Sequence, residues 1–249
     1  SLPMAQAAVK AVFYERQNDA TPGYDTMSEL TKLNNMPLCG NASYDYYFAD
    51  KKNNGGALEV IDEGALVNLN TASVDVLKKL PGIDDDLADN IANGGLRPYS
   101  SINEVFLIEG MTKDNFKLFK DMVTVYGSGK VNINTASKAV LFAIGLDQEL
   151  ADIIARFREE HKIEIPSDTP AQEIEYGFSS LATIIDDLRS FASLGLRQEQ
   201  DLLSALSVLT VKSEYLRFNL IPKAGNKQGI RYSVVIHPAA KKILSWSEE

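Results

Sequence analysis

Two short runs gather the polar residues whose spacing could do chemistry: Val67-Asn-Leu-Asn-Thr-Ala-Ser73 and Val131-Asn-Ile-Asn-Thr-Ala-Ser137. After each comes an apolar helical stretch, a glycine turn and a second helix, so the chain carries two helix-hairpin-helix-like units. Such a unit can hold a phosphate, because its turn presents backbone amides and the positive end of a helix dipole. The turns here read Pro81-Gly82-Ile83-Asp84-Asp85-Asp86 and Ile144-Gly145-Leu146-Asp147-Gln148-Glu149. Asp84 and Asp147 therefore stand where the phosphate would sit; they suit the helix dipole and repel nucleic acid. From Val67 to Glu160 the chain has 14 Asp or Glu and 10 Lys or Arg. That balance leaves no basic stripe for counter-ion release, and no nucleic-acid partner is expected.

Asn68, Asn70 and Thr71, with Asn132, Asn134 and Thr135 in the second copy, lie where an extended run enters a helix. Their short side chains read as helix caps that accept the unsatisfied amides of the first turn. Asp84-Asp85-Asp86 raises the question of a hard cation, but consecutive carboxylates at a helix start diverge, whereas calcium needs about six to eight convergent oxygens. No metal ligand is assigned. For catalysis, only His161 and His237 are present, and no spacing ties either one to Cys39 or to a serine elbow. Gly127-Ser-Gly129 lacks the Lys-Ser/Thr of a phosphate loop and reads as a linker turn. Asp62-Glu63, at a strand-to-helix junction, reads as a surface or capping pair. No catalytic residue is named, and the chain is read as a non-enzyme.

Composition sets the limits around these motifs. With 249 residues and 45% apolar content, the chain can bury a core of one or two domains. A formal net charge of −9 opposes unspecific binding to nucleic acid or anionic lipid and leaves room for a basic partner. The single cysteine forms no internal disulfide and reads as a small buried apolar residue. No stretch of about 18 apolar residues is present, the length a membrane span needs.

The elements that must position the motifs follow from period and punctuation. Ala5 to Gln17 is made of helix formers without a starting cap and reads as the continuation of a longer helix. Asp25 to Leu33 is a short helix with Asp25 or Thr26 as cap. Tyr44 to Ala49, the turn Lys51 to Gly56 and Ala57 to Ile61 have the composition of a β-hairpin. From about 66 to 206 the period is helical, with a Pro/Glu-rich surface loop, Ile163 to Tyr176, in the second copy. Beyond it, Leu216, Phe218 and Leu220, then Ile230, Tyr232, Val234 and Ile236, alternate as strands, and Lys241 to Trp246 is a third. Strands at both ends are expected to meet in one antiparallel sheet, with the helical region inserted between them.

Ile61-Asp-Glu-Gly64 with Val67-Asn-Leu-Asn-Thr-Ala72, then Tyr99-Ser-Ser101, and finally Tyr215-Leu-Arg-Phe218, Arg231-Tyr-Ser-Val-Val235 and Ile243-Leu-Ser-Trp246, occur in the order seen in a known family. Together they resemble the K-type minor pseudopilins of the type II secretion system over nearly the whole chain. The Asn-X-Asn-Thr-Ala repeat alone also resembles the helix-hairpin-helix of periplasmic competence DNA receptors, which is the alternative reading.

The pseudopilin resemblance implies an α+β fold: a pilin-like domain with a long N-terminal helix packed on an antiparallel sheet (1–65 plus 207–249), and a large inserted all-α domain (66–206) with one repeat over about 66–129 and the other over about 130–206. It implies a single-pass inner-membrane anchor preceding this chain, a prepilin-peptidase-processed precursor, and a soluble part in the periplasm. It implies assembly with other minor pseudopilins at the tip of the filament, with exported proteins or the secretin as further partners. Ala5, Ala8, Val9, Val12 and Phe13 are candidates for contact with partner helices, although helical spacing alone leaves them equally able to pack on their own sheet. Some members hold calcium; no cofactor is required here, and calcium is left open.

Overall fold

The computed structural model describes residues 2–19, 21–34, 57–163, 175–221, 223–224, 227–228 and 230–248, without side chains at 2–5, 8, 57–58, 221, 223–224 and 227–228. Cys39, the expected strand Tyr44 to Ala49 with its turn Lys51 to Gly56, and most of the loop 163–176 lie outside the described residues, as do the side chains of Ala5 and Ala8.

Helices α1 (Leu2–Gln17) and α2 (Met27–Asn34) precede strand β1 (Ala57–Asp62). A 3-10 turn, Glu63–Ala65, leads into the first copy of the repeat: β2 (Val67–Asn68), α3 (Val74–Leu77), α4 (Asp85–Asn93), a 3-10 turn Ile102–Leu107, α5 (Lys113–Phe119) and β3 (Val123–Thr124). The second copy follows the same order with β4 (Val131–Asn132), α6 (Lys138–Ala143), α7 (Gln148–Glu160), β5 (Lys162–Ile163), β6 (Glu175–Tyr176), α8 (Ile184–Phe191), α9 (Leu196–Ala205) and β7 (Leu209–Thr210). Strands β8 (Leu216–Ile221), β9 (Lys223–Ala224), β10 (Lys227–Gln228), β11 (Tyr232–His237) and β12 (Lys242–Glu248) close the chain.

The two ends of the sequence meet in one four-stranded antiparallel sheet of order β1-β8-β11-β12. Alternation explains its faces: Leu216, Phe218 and Leu220 on β8 and Tyr232, Val234 and Ile236 on β11 turn the same way and are buried. Helices α1 and α2 cover that face with Val9, Val12, Leu30 and Leu33. Ile230, expected to belong to the same alternation, precedes β11 and is 54% exposed.

A second apolar cluster is drawn entirely from residues between Val67 and Leu209, and both copies of the repeat feed it. Equivalent positions do equivalent work, as with Leu69 and Ile133, Leu77 and Leu141, or Tyr99 and Phe178. The expectation that this region is all-α is corrected. Within it β2 pairs with β3 and β4 with β7, each in parallel, while β5 pairs antiparallel with β6. The reason is local: Val-Asn-X-Asn is extended, and its backbone groups need partners before the first helix begins. The β4–β7 pair also carries the second copy to Thr210, past the expected limit at 206.

Candidate functional site

The asparagines of the repeat do not cap helices, contrary to the sequence expectation. Asn70 accepts from Tyr99 N at 2.6 Å through Oδ1, and its Nδ2 donates to Tyr99 O at 3.0 Å and Val125 O at 3.1 Å. Asn134 repeats this ring on Phe178, accepting from its N and donating to its O, both at 2.8 Å. Asn68 accepts from Asn70 N and donates to Tyr126 O and Gly127 O. The caps are Ser73 and Ser137, which accept from Val76 N and Val140 N. A side-chain amide carries a donor and an acceptor and so replaces a whole peptide partner, whereas a cap needs only an acceptor. Thr71 packs on the linker instead, where a Cβ at Gly129 would meet its Oγ1 at 2.1 Å.

Gly82 (φ 79°) and Gly145 (φ 116°) make the hairpin turns in a backbone region that favours glycine. Asp84 accepts from Leu87 N at 2.8 Å and Asp147 from Leu150 N at 2.7 Å, each capping the following helix. The first turn is covered by α5, with Asn115 Nδ2 donating to Gly82 O and Leu118 against Gly82. In the second, Gly145 N donates to Phe142 O and Leu146 N to Leu141 O. The amides of Ile83 and Leu87 at the first turn and of Gly145, Leu146 and Leu150 at the second are engaged by the chain's own acceptors, and the capping carboxylates add negative charge where a phosphate would sit.

The largest gathering of polar side chains lies where the sheet and the repeats meet. Asp62 is 2% exposed and Glu63 1%, so the surface role expected for them is corrected. Asp62 does accept from Gly64 N as a cap, but its other oxygen receives Asn132 Nδ2 at 3.0 Å, Thr135 Oγ1 at 2.6 Å and Ser213 Oγ at 2.5 Å. The second copy's Asn132 and Thr135 are thereby tied to the end of β1. Glu63 accepts from Thr124 Oγ1 and pairs with Arg217 Nε at 2.5 Å as a charge contact, not a linear hydrogen bond.

Next to this pair, the end of α1 and the start of α2 form a corner. Arg16 contacts Asp25 directly, Asp19 at 3.3 Å and Glu29 at 4.0 Å. Asp25 also accepts from Ser213 N. Thr26 and Glu29 form a capping box on α2, Thr26 N donating to Glu29 Oε2 and Glu29 N to Thr26 Oγ1. Thr26 Oγ1 further donates to Glu175 on β6, which Lys32 pairs at 2.7 Å. Burial pushes the carboxyls of Asp25, Asp62 and Glu63 above the ordinary range, and that of Glu29 up to about 8.

Sequence reasoning did not find this corner; it read Asp25 only as a cap and singled out neither Arg16, Glu29 nor Glu175. The one local signal was Thr26-Met-Ser-Glu29, whose spacing is that of a capping box. For calcium, the relevant test is the trio Asp19, Asp25 and Glu29, whose oxygens lie within 4.8 Å of one another. The Arg16 guanidinium sits among them, and Thr21 and Ser213 N already occupy further lone pairs, so these residues do not fit a cation while Arg16 is in place.

Of the residues expected to touch partner helices, Val9 and Val12 are 3% and 1% exposed and Phe13 packs beside them. The chain's own sheet takes Val9 and Val12, one of the two alternatives that spacing left open. Tyr14 is the large apolar side chain that α1 turns outward among the described residues. His161 stacks on Phe157, and His237 accepts from Ala240 N through Nδ1 and lies edge-on to Tyr215.

Residues 62–124 match the model of the helix-hairpin-helix motif, about a quarter of the chain. No curated protein matches the chain in sequence. Among solved structures, a chain from the crystal structure of the GspK-GspI-GspJ complex of the enterotoxigenic Escherichia coli type 2 secretion system is similar over 100% of this chain and 94% of its own, with a TM-score of 0.63 and 14% identity. The resemblance read in the sequence thus holds at the level of fold: the chain has a GspK-like, mixed helix-and-sheet architecture throughout.

Proposed function

We propose, from this whole-chain likeness of fold, that the protein is the soluble part of a K-type minor pseudopilin, a non-enzymatic subunit that assembles with other minor pseudopilins at the tip of a type II secretion pseudopilus. The observation that carries the reading is that a chain from a secretion-system complex matches both ends of this sequence and the repeats between them. A match to the hairpins alone would have favoured any protein that carries the motif. On this reading the sheet with α1 and α2 is a pilin-like domain, residues 66 to about 210 are the insertion, and α1 continues a membrane-anchored helix in the inner membrane with this part in the periplasm. The two separate apolar clusters support that division.

The test is assembly. Mixed with the soluble domains of the companion minor pseudopilins of its own system, the chain should co-elute as a stable complex. Separate monomers at tens of micromolar, roughly the level where a specific interface persists, would overturn the reading.

The helix-hairpin-helix match keeps a second reading in view, that of a periplasmic DNA-binding protein of the competence type. Capped turns and a net charge of −9 oppose it. A gel shift of duplex DNA at low salt decides: retardation at micromolar protein would favour DNA, and none is expected.

A further inference from the structure

The corner between α1 and α2 has an unequal charge balance. One guanidinium, Arg16, faces three carboxylates, and Glu29 is the one farthest from it. From α1 comes Arg16, from the connecting loop Asp19, Tyr24 and Asp25, from α2 Lys32, and from β6 Glu175. Lys212, in the segment leaving β7, is committed to Pro22 O. Asp25 takes Arg16 on one oxygen and Ser213 N on the other, and so links the guanidinium to the exit segment. Three carboxylates thus share one guanidinium, which reaches Glu29 only at 4.0 Å, and a buried, under-compensated carboxylate is costly.

We propose that Glu29 holds a proton at neutral pH and acts as a latch: while the proton is bound, the α1–α2 corner clamps Ser213 in the exit segment and Glu175 on β6, and loss of the proton loosens that clamp. The consequence is a pH-dependent coupling between the sheet and the repeats. Ionised Glu29 competes with Asp25 for Arg16, which weakens the Asp25–Ser213 contact. It also sits two hydrogen bonds from Glu175 through Thr26, so the same charge opposes the tie to β6.

Burial is the first cause that lifts the Glu29 carboxyl from 4.5 to about 8, with Asp25 next. The folded form therefore holds a proton that the unfolded chain has lost. Its stabilising effect is complete below the unfolded value and is lost as pH rises toward 8.

Thermal melts and amide exchange between pH 6 and pH 9 test the latch, compared with Glu29→Gln, which keeps a neutral carboxamide at every pH. The wild type should lose about 5 °C or more in Tm across that range, and Glu29→Gln should lose clearly less. Amides of 25–30 and 211–213 should exchange faster at pH 9 than their intrinsic rates predict, while those of α4 should not. Equal pH slopes in the two proteins would overturn the proposal. Should Glu29→Gln fail to fold, the wild-type carboxyl can be followed by carbon-13 NMR. A Glu29 midpoint near or above neutral supports the latch, and one among the ordinary glutamates at about 4 to 5 overturns it.

Discussion

Asn70 and Asn134 each close a ring on the backbone of a single residue, Tyr99 and Phe178, and the loss of either should exceed the loss of an ordinary cap. Asn134 is buried, and without its side chain the amide and carbonyl of Phe178 have no replacement partner. Asn134→Ala should cost about 2–3 kcal/mol in urea unfolding. Ser137→Ala, which removes the true cap of α6, should cost about 1 kcal/mol. If the asparagine were the cap, as the sequence pattern suggests, that order would be reversed. Gly129 offers a second residue-level test. Its φ is 87° and a Cβ would meet Thr71 Oγ1 at 2.1 Å, so Gly129→Ala should destabilise by at least about 2 kcal/mol.

At the scale of elements, the hairpin turns decide what the repeats can bind. Asp84 and Asp147 satisfy the helix starts and place negative charge there, while α5 lies over the first turn. Replacing both aspartates by serine keeps a capping oxygen and removes the repulsion, so stability should change by less than about 1 kcal/mol. DNA retardation should still be absent, since no basic stripe appears and the net charge stays negative. This part of the candidate site was legible, because helix caps are local and an aspartate three residues before a turn of amides has one obvious use. The role of the asparagines was not. A short polar run before a helix suits a cap as well as a backbone bridge, and the deciding partners lie 29 and 44 residues away.

At the scale of the molecule, two clusters of buried apolar residues, one within 67–209 and one joining the two ends of the chain, imply different degrees of independence. The first is contiguous in sequence, so a fragment of residues 66–211 should fold alone and melt cooperatively; a fragment without a cooperative transition would show that the sheet is needed to hold it. The sheet cannot be so divided, because β1 finds its partner β8 only across residues 63–215. Asp62, Asn132 and Ser213 join the two parts, and Asp62→Ala should lower Tm, since Ser213 Oγ and Thr135 Oγ1 lose this acceptor and Asn132 Nδ2 loses one of its acceptors.

Read without its structure, the sequence determined the duplication, the alternating strands at its two ends, the glycine turns with their acidic caps, and a resemblance that the shared fold bears out. These features are written in local period and punctuation, which the chain obeys wherever it is placed. Only the tertiary structure decided that Asp62 and Glu63 are buried, that Arg16 stands among three carboxylates, and that the asparagines bridge backbones. Each of those outcomes depends on which distant segment closes over a side chain, and the same short polar residues serve equally well in water until that packing removes it.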